Sequence, residues 1–466
     1  TYHKNIISTN SKIIECNNNL LLPGFKNFHT HSAMTFLRSH ADDLSLRDWL
    51  YNYVFPMEEN LKEGDVYTLS KLAFLEYLTS GITYCFDMYY FPYEIAKAAK
   101  DFGMRCTVLG TISDHSDSVE ILKKYYSDIN NSCDYVDFCL GFHAEYTTSD
   151  ETLKTLSKLS HELKAPIFTH SSETLLEVEG CKERHDSLTP TQYFDKLGLY
   201  DFGGGAFHCN FFDEKDMEIF KSKNLTVVTC PGSNSKLASG VAPINEYLNK
   251  GINLTIGTDG PASNNSLDFF KEMYLVSVLQ KLKYNDPKVM DGREVLKMAT
   301  SNCKYVLGNY NFDTLEEGKL ADIIMIDLSK PNMQPINNIE KNIVYSGSKE
   351  NIKMTMINGK ILYMNGEFFI DENVDELYKL LDMRGAQARM NNFEESINDM
   401  SGDENKLYRE RERLMRAYEQ KRNELSTYEN NLGFFNSKSK SGDSMLRELE
   451  RKIQRIKEDL ATLEQK

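Results

Sequence analysis

The feature that most constrains the fold is a series of short, almost continuously apolar runs that alternate with longer helical segments. Runs of this kind are typical of strands that are covered on both faces, as in a parallel sheet. Their regular alternation with helices predicts an α/β fold, a (β/α)8 TIM barrel over residues 23–317. The runs are Leu20–Leu22, Ile82–Phe86, Val136–Phe142, Pro166–Thr169, Gly205–His208, Leu225–Thr229 and Leu254–Thr258. The helical segments include Asp65–Thr79, Tyr93–Phe102, Glu151–Leu163 and Leu267–Leu282.

Both flanks of the predicted barrel have a different pattern. Residues 318–372 contain short apolar stretches separated by Asn-Gly dipeptides, which indicate tight turns between antiparallel strands. Residues 1–22 resemble them in pattern but form a shorter segment. We therefore predict a small β-sandwich domain built from residues 1–22 and 318–372, in which the N-terminal contribution is incomplete.

The last part of the chain, residues 384–466, lacks histidine, cysteine and proline. Its apolar residues follow a heptad spacing, and the stretch Gly433–Gly442 is rich in Ser, Asn and Lys. This pattern predicts two helices that pack as an antiparallel coiled-coil hairpin around a loop. The clearest part of the seam is Leu446, Leu449, Ile453, Ile456, Leu460 and Leu463. We expect the chain to form a homo-oligomer, with this hairpin as a candidate interface.

Charge and cysteine usage exclude several classes of protein. A formal net charge of −15 argues against a nucleic-acid partner, because phosphate backbones recruit basic proteins. We find no apolar run long enough to span a bilayer and no apolar core of a signal peptide near residue 1. The 9 cysteines include no Cys-x-x-Cys pair, which favours reduced thiols over disulfides. We therefore expect a cytoplasmic protein with no membrane partner.

Polar residues with metal-binding or acid–base capacity end the predicted strands. His29 and His31 follow the first barrel run, and side chains two apart on a strand point to the same side. A His-x-His pair alone is weak evidence, because one histidine is often a core residue and the other a surface residue. Other runs end in the same way, at His143, His170, His208 and Asp259. In a (β/α)8 barrel these ends meet at one mouth, where active sites lie.

Three imidazoles and one carboxylate suit a single Zn²⁺ ion with an open position for water. We assign His29, His31, His170 and Asp259 as the ligands; Fe²⁺ suits the same donors. The middle strands do not end in lysine, so a carbamylated lysine bridging two metals is not expected. Hydrolysis also needs a proton carrier beside the metal, and Glu173 and His208 are the candidates.

Several strings of the sequence resemble the amidohydrolase superfamily. They are "LLLPGFKNFHTHSAMTFLRSHADDLSLRDWL", "FTHSSET", "AFHC" and "TIGTDGPASNNSLDFF". Together they are similar to the branch that contains methylthioadenosine and S-adenosylhomocysteine deaminases and triazine hydrolases. The resemblance extends to about residue 375. The tail resembles helical segments of a bacterial domain of unknown function and has no counterpart in the deaminases.

The resemblance implies a role for each matching residue. It implies the four metal ligands above, Glu173 as the proton shuttle and His208 as a histidine beside the metal. It also implies substrate contacts, with Glu58 at ribose hydroxyls, His143 at the substrate ring and Ser263 at a further position. There are departures: Gly110 stands where nucleoside deaminases tend to carry arginine, and "TCPGSN" replaces a more usual His-Asn-Pro pattern.

The function that we predict is hydrolytic deamination of an amino-substituted heterocycle, namely a purine, nucleoside, pterin or pyrimidine, by metal-activated water. Asp259 accepts a proton from the water, Glu173 protonates a ring nitrogen, and His208 steadies the developing charge. One alternative is removal of chloride or an alkylamine from a triazine-like ring, which the same residues would serve. Another alternative, of a different class, is an inactive barrel that acts as a scaffold and uses its tail for interaction.

Overall fold

The computed structural model describes residues 13–17, 19–114, 116, 118–306, 311–383, 451–455 and 457. Within these residues the strands are β1 Leu20–Pro23, β2 Phe25–Thr30, β3 Ile82–Met88, β4 Arg105–Leu109, β5 Val136–Gly141, β6 Ile167–Ser171, β7 Gly204–His208, β8 Thr226–Thr229, β9 Asn253–Ile256, β10 Ile323–Ile326, β11 Ile352–Ile357, β12 Lys360–Met364 and β13 Glu367–Phe368.

The helices alternate with the strands through most of this part of the chain. They are α1 Leu46–Trp49, α2 Phe55–Glu58, α3 Glu63–Thr79, α4 Pro92–Phe102, α5 Val119–Asn130, α6 Asp150–Leu163, α7 Leu175–Arg184, α8 Pro190–Lys196, α9 Glu214–Ser222, α10 Pro231–Lys236, α11 Ile244–Lys250, α12 Phe269–Tyr284, α13 Gly292–Ala299, α14 Ile339–Tyr345 and α15 Val374–Met383. Among the described helices, none combines the length and the apolar composition that a membrane crossing requires.

Strands β2 to β9 form an eight-stranded parallel sheet in chain order, with helices between successive strands. This arrangement confirms the predicted (β/α)8 barrel. The side chain of Asn27 joins the first barrel strand, β2, to the segment that follows the last, β9. It donates to Thr258 Oγ1 at 2.7 Å and accepts from the Thr258 N–H at 2.9 Å. A Cβ atom at Gly257 would lie 2.6 Å from the His29 Cβ, so the two strand ends approach this closely only because residue 257 is glycine.

The interior of the barrel is filled by large apolar side chains rather than by a channel. Phe28, Phe86, Phe168 and Phe207 come from different strands and form one buried cluster. The rings of Phe86 and Phe168 meet edge to face with centroids 4.9 Å apart. This packed layer forces polar side chains to the ends of the strands, where they can reach solvent or one another.

The five remaining strands form an antiparallel sheet in the order β1-β10-β11-β12-β13. Leu20 pairs with Ile326 and Pro23 with Ile323, so the N-terminal flank contributes the edge strand that the sequence indicates. A buried ion pair joins this sheet to the barrel: Arg105 Nε lies 2.6 Å from Asp322 Oδ2. The α/β barrel with a small antiparallel sheet from both flanks is therefore as predicted, while the boundaries 1–22 and 318–372 stay a prediction.

A second compact unit spans Asn392–Lys466. The structure describes only residues 451–455 and 457 of it, and these are helical. The predicted coiled-coil hairpin of residues 384–466 otherwise lies outside the described residues.

Candidate metal centre and active site

A cavity opens at the carboxyl ends of the barrel strands, and the predicted metal ligands and proton carriers meet there. Strand β2 ends at Thr30, so His29 and His31 lie at its carboxyl end. Being two residues apart, they face the same side of the strand. His170 comes from β6, His208 from β7 and Asp259 from the loop after β9. All these side chains except His29 line the cavity, and His29 lies fully buried beneath them.

The donor atoms of the four predicted ligands cluster around His29, which belongs to both groups of close donor atoms at the mouth. His29 Nε2 lies 3.1 Å from His170 Nε2 and 3.3 Å from Asp259 Oδ1. His31 Nε2 lies 3.1 Å from the same carboxylate oxygen. His208 is close enough to form a further group of three possible donors with His29 and His170.

Backbone carbonyls orient two of these imidazole rings. His31 Nδ1 donates to the carbonyl of Met88, and His170 Nδ1 donates to the carbonyl of His143 at 2.7 Å. Because the proton of each neutral ring is then on Nδ1, the Nε2 lone pair faces the cluster of donor atoms. His29 is held differently, by stacking on Phe207 with ring centroids 3.7 Å apart.

The charge states of these groups fit a divalent cation. Burial lowers the pKa of His29 to about 3 and holds the pKa of His170 well below its usual value. Burial opposes ionisation of Asp259, but the interactions with His29 and His31 outweigh it and hold the pKa of this carboxyl well below its usual range. Burial opposes protonation of His31, but its hydrogen bond with Asp259 outweighs this and raises the pKa of His31. The neutral imidazoles of His29 and His170 and the ionised carboxylate of Asp259 suit Zn²⁺, which would take the place of the proton on His31.

Two serines occupy the second oxygen of the Asp259 carboxylate. Ser233 and Ser263 donate to Oδ2 at 2.6 and 2.9 Å. The Gly260 N–H donates to Oδ1 at 2.8 Å. These bonds fix the plane of the carboxylate, so that Oδ1 is the oxygen presented to the imidazoles.

Glu173 lies at the wall of the same cavity and is only 4% exposed. Ser239 donates to its Oε1 at 2.8 Å, and its Oε2 lies 3.7 Å from His208 Nε2. Burial raises the pKa of this carboxyl, which favours the protonated form that a general acid needs. Glu177 accepts from the backbone N–H groups of Ser172 and Glu173, both at 2.8 Å, and so anchors the turn that carries Glu173.

Three residues around the metal centre have positive φ although none is glycine. They are Ser172 at 53°, His208 at 69° and Asp259 at 61°. A residue in this region costs about 1–3 kcal/mol and persists only where its surroundings hold it, and such residues concentrate at functional sites. Here the strand ends are bent so that consecutive polar side chains turn into the mouth.

The three predicted substrate contacts lie at different depths. Glu58 lines the cavity and accepts from Tyr89 at 2.6 Å, and burial raises the pKa of Glu58 to about 7. His143 also lines the cavity and pairs with Thr147 Oγ1 through Nδ1 at 2.9 Å. Ser263 is 1% exposed and its hydroxyl points to Asp259. The substrate roles of all three stay predictions.

Sequence reasoning missed the residues that orient the site. Ser233, Ser239 and Tyr89 have no recognisable signal, because each becomes a neighbour of its partner only through the fold. Glu177 had a signal: Thr174 and Glu177 match the capping-box spacing at the start of α7, and the Glu177 N–H donates to Thr174 Oγ1 at 3.1 Å. Its carboxylate, however, reaches past Thr174 to the two preceding N–H groups.

Comparison with known proteins agrees with this geometry. The model of the amidohydrolase family matches residues 20–362. A 5-methylthioadenosine/S-adenosylhomocysteine deaminase from Pyrococcus furiosus is 36% identical over 389 residues, which cover 81% of this chain and 92% of the relative.

Two solved structures show the same fold. An adenosine deaminase from Xanthomonas campestris with bound zinc has a TM-score of 0.75 at 29% identity, and the match covers 82% of this chain and 87% of that one. An atrazine chlorohydrolase from Arthrobacter aurescens in complex with zinc has a TM-score of 0.71 at 20% identity, with 78% and 88% covered. At that identity the second likeness bears on the fold alone.

Proposed function

This chain belongs to the amidohydrolase family and is a zinc-dependent hydrolytic deaminase, and we propose that its substrate is an adenine nucleoside. The predicted class of enzyme is confirmed by the family and by its deaminase relatives, whereas the alternative of an idle scaffold stays a prediction. The observation that supports a nucleoside is the buried carboxylate of Glu58, which lines the same cavity as Glu173 and His208. A carboxylate at this position can accept from both hydroxyls of a ribose while the amino-substituted ring reaches the metal centre.

We assign His29, His31, His170 and Asp259 as the residues that hold the ion. Their donor atoms cluster around His29, and two of the rings turn Nε2 inward through backbone hydrogen bonds. A zinc ion bound there would lower the pKa of a water molecule toward neutrality and stabilise negative charge in the transition state.

The chain's own residues then manage the protons. Asp259 Oδ1 accepts a proton from the water, since Oδ2 is occupied by two serine hydroxyls. Glu173 delivers its proton from Oε2 to the ring nitrogen next to the amino-bearing carbon, which makes that carbon more electrophilic. The water oxygen bonds to this carbon, the proton taken up by Asp259 passes to the amino group, and the C–N bond breaks to release ammonia. The remaining proton of the oxygen returns to Glu173 as the carbonyl of the product forms. His208 accepts a hydrogen bond from the attacking water through Nε2 and so orients the oxygen for attack. A positioned proton carrier of this kind contributes about 10²–10⁴-fold to the rate.

Glu58 binds the substrate rather than reacting with it. Tyr89 occupies Oε1 of its carboxylate at 2.6 Å, so Oε2 remains to accept from the ribose. His143 also lines the cavity, with its ring centroid 5.0 Å from that of His170, and offers an edge to the base. Ser263 contributes indirectly, through its bond to Asp259.

An ammonia-release screen with metal analysis of the same sample tests this proposal. The substrates are adenosine, 5′-methylthioadenosine, free adenine, guanine, a pterin, cytosine and a chlorotriazine. We expect ammonia from the adenine nucleosides, a much lower kcat/KM for free adenine, and zinc in the active sample. Release of chloride from the triazine without ammonia from any nucleoside would overturn the proposal.

Two further expectations are part of the same proposal. We propose that the enzyme is cytoplasmic, which fits cysteines that are all free. We also propose that it is a homo-oligomer, with residues 384–466 as the candidate interface. Light scattering of the full chain and of a chain that ends at residue 383 tests the second point.

A further inference from the structure

A chain of hydrogen bonds links the two proton carriers through a pair of asparagines. His208 Nδ1 pairs with Asn234 Oδ1 at 2.8 Å, and Asn234 Nδ2 donates to Asn210 Oδ1 at 2.9 Å. Asn210 Nδ2 in turn donates to the backbone carbonyl of Glu173 at 2.8 Å. All four residues are at most 5% exposed, so water does not compete for these groups. We call Asn210 and Asn234 the amide bridge.

The donor-to-acceptor direction of these hydrogen bonds is determined at Glu173. A backbone carbonyl can only accept, so the NH₂ group of Asn210 must point to it. Asn210 Oδ1 therefore faces Asn234 and receives the Asn234 NH₂ group. Asn234 then has only its oxygen left for His208, and an oxygen acceptor requires a proton on His208 Nδ1.

We propose that the amide bridge, Asn210 and Asn234, positions both proton carriers, because it keeps a proton on His208 Nδ1 and links His208 to Glu173. The kinetic part of this proposal rests on the proposed deamination. His208 then presents the lone pair of Nε2 toward Glu173 Oε2, 3.7 Å away. Because Ser239 occupies Oε1, Oε2 is the oxygen left to carry the proton of Glu173. The acceptor, His208 Nε2, and the proton donor, Glu173 Oε2, therefore face each other at 3.7 Å.

The bridge also ties three structural elements together. The Asn210 N–H donates to the Ser172 carbonyl at 2.9 Å, which fixes the segment after β7 against the segment after β6. The Asn234 N–H donates to the Cys230 carbonyl at 2.9 Å, within α10. Movement of any one element would therefore displace the other two, and a shift of about 1 Å in a catalytic group can cost about 10²-fold in rate.

The first test reads the proton directly. In zinc-loaded enzyme labelled with ¹⁵N-histidine, the ring nitrogens of His208 are assigned by their loss in His208→Gln. We expect the chemical shifts of an Nδ1–H tautomer in the wild type and a mixture or the reverse in Asn234→Leu. A wild-type His208 that is protonated at Nε2 would overturn the proposal. No substrate is needed, so this result is independent of the proposed function.

The second test uses a pair of variants that differ in hydrogen-bond polarity. A carboxylate can only accept, so Asn234→Asp keeps the acceptor for His208 Nδ1–H and loses only the donor to Asn210. Asn234→Leu loses both. We expect Asn234→Leu to lower kcat by about 10²-fold with KM near the wild-type value, and Asn234→Asp to lower kcat by less than about 10-fold.

The control is Asn351→Asp, because Asn351 is fully buried in the part of the chain around the small sheet, away from the cavity. An Asn234→Asp enzyme as impaired as Asn234→Leu, with Asn351→Asp unaffected, would overturn the proposal. So would a change in KM alone. A wild-type enzyme that releases no ammonia from any nucleoside contradicts the proposed deamination instead, and leaves the tautomer measurement standing.

Discussion

Two clusters of buried charged and polar groups lie at opposite ends of the barrel, and they are built in opposite ways. At the amino-terminal end, Arg105 and Asp322 form a paired fork at 2.6 and 3.0 Å, and Asp322 Oδ1 also accepts from the Asn358 N–H at 2.7 Å. At the carboxyl-terminal end, two imidazole nitrogens lie 3.1 Å apart, and neither lysine nor arginine is among the described residues that line the cavity. Burial of charge is common to both, so it does not identify the active site. The active site is identified by donor atoms of His and Asp that lie close enough together to hold a metal ion.

The largest expected effect concerns the mouth. Glu173→Gln keeps the shape and the bond from Ser239 but cannot deliver a proton, so kcat should fall by about 10²–10⁴-fold. Zinc content should stay near that of the wild type, because Glu173 is not among the proposed ligands. Steady-state kinetics with metal analysis checks both. Unchanged turnover would remove Glu173 from the mechanism and weaken the contrast between the two ends.

The next effect concerns the opposite end. Asp322→Asn leaves the buried guanidinium of Arg105 without its charge partner, which should cost about 3–5 kcal/mol of the free energy of unfolding. The kcat of the folded, zinc-loaded protein should not change. Urea unfolding and kinetics on one sample measure the two quantities. Glu340→Gln is the matched control, since it breaks the exposed pair with Arg293 and should cost at most about 1 kcal/mol. Loss of kcat in Asp322→Asn would mean that the two ends are coupled.

Lys26, at the amino-terminal end of the barrel, should make the free energy of unfolding depend on pH. Burial lowers the pKa of this lysine from 10.5 to about 8, although its ammonium group donates to the Gly24 carbonyl and lies 5.4 Å from the Phe312 ring. Between about pH 8 and pH 10.5 the unfolded chain binds a proton here that the folded chain does not. The free energy of unfolding should therefore rise with pH across this window, by up to about 3 kcal/mol.

The difference between the wild type and Lys26→Met isolates this contribution from the titration of tyrosines. Chemical unfolding at several pH values gives the two curves. Their difference should change between pH 8 and pH 10.5 and be flat below pH 7. A difference that does not depend on pH would show that Lys26 keeps an ordinary pKa in the folded protein.

The smallest expected effect is at the edge of the mouth. Ser239→Ala removes the donor to Glu173 Oε1. A hydrogen bond of this kind contributes about 1 kcal/mol, so kcat should fall by about fivefold. Ser277→Ala is the control, because Ser277 is equally buried and donates to the Met290 carbonyl outside the site. A loss as large as that of Glu173→Gln would mean that Ser239 itself carries a proton.

Much of this account could be predicted from the sequence. The apolar runs predicted the barrel because strands covered on both faces are rich in apolar residues along their whole length. His29, His31, His170 and Asp259 were found because each directly follows or ends such a run, and parallel strands bring those ends together. The first run, Leu20–Leu22, falls in the predicted β domain of residues 1–22 and lies in the antiparallel sheet, and the barrel begins at Phe25.

The residues that orient the site could not be predicted in this way. Asn210 and Ser239 lie in loops and Asn234 lies in the short helix α10, where nothing in the local pattern distinguishes a structural amide or hydroxyl from a solvated one. Their partners are 24 to 66 positions away in the sequence, as for Asn210 with Asn234 and Glu173 with Ser239. Such pairings depend on the exact path of the chain, which periodicity does not determine.

Reconstitution with zinc tests the central claim most directly. The enzyme is stripped with a chelator, titrated with Zn²⁺ and assayed for release of ammonia from an adenine nucleoside at each addition. We predict that activity rises in proportion to zinc and reaches its plateau at one ion per chain, and that His170→Ala neither retains the ion nor recovers activity. Full activity in the metal-free chain, or a plateau at two ions per chain, would contradict a single zinc site at the mouth of the barrel.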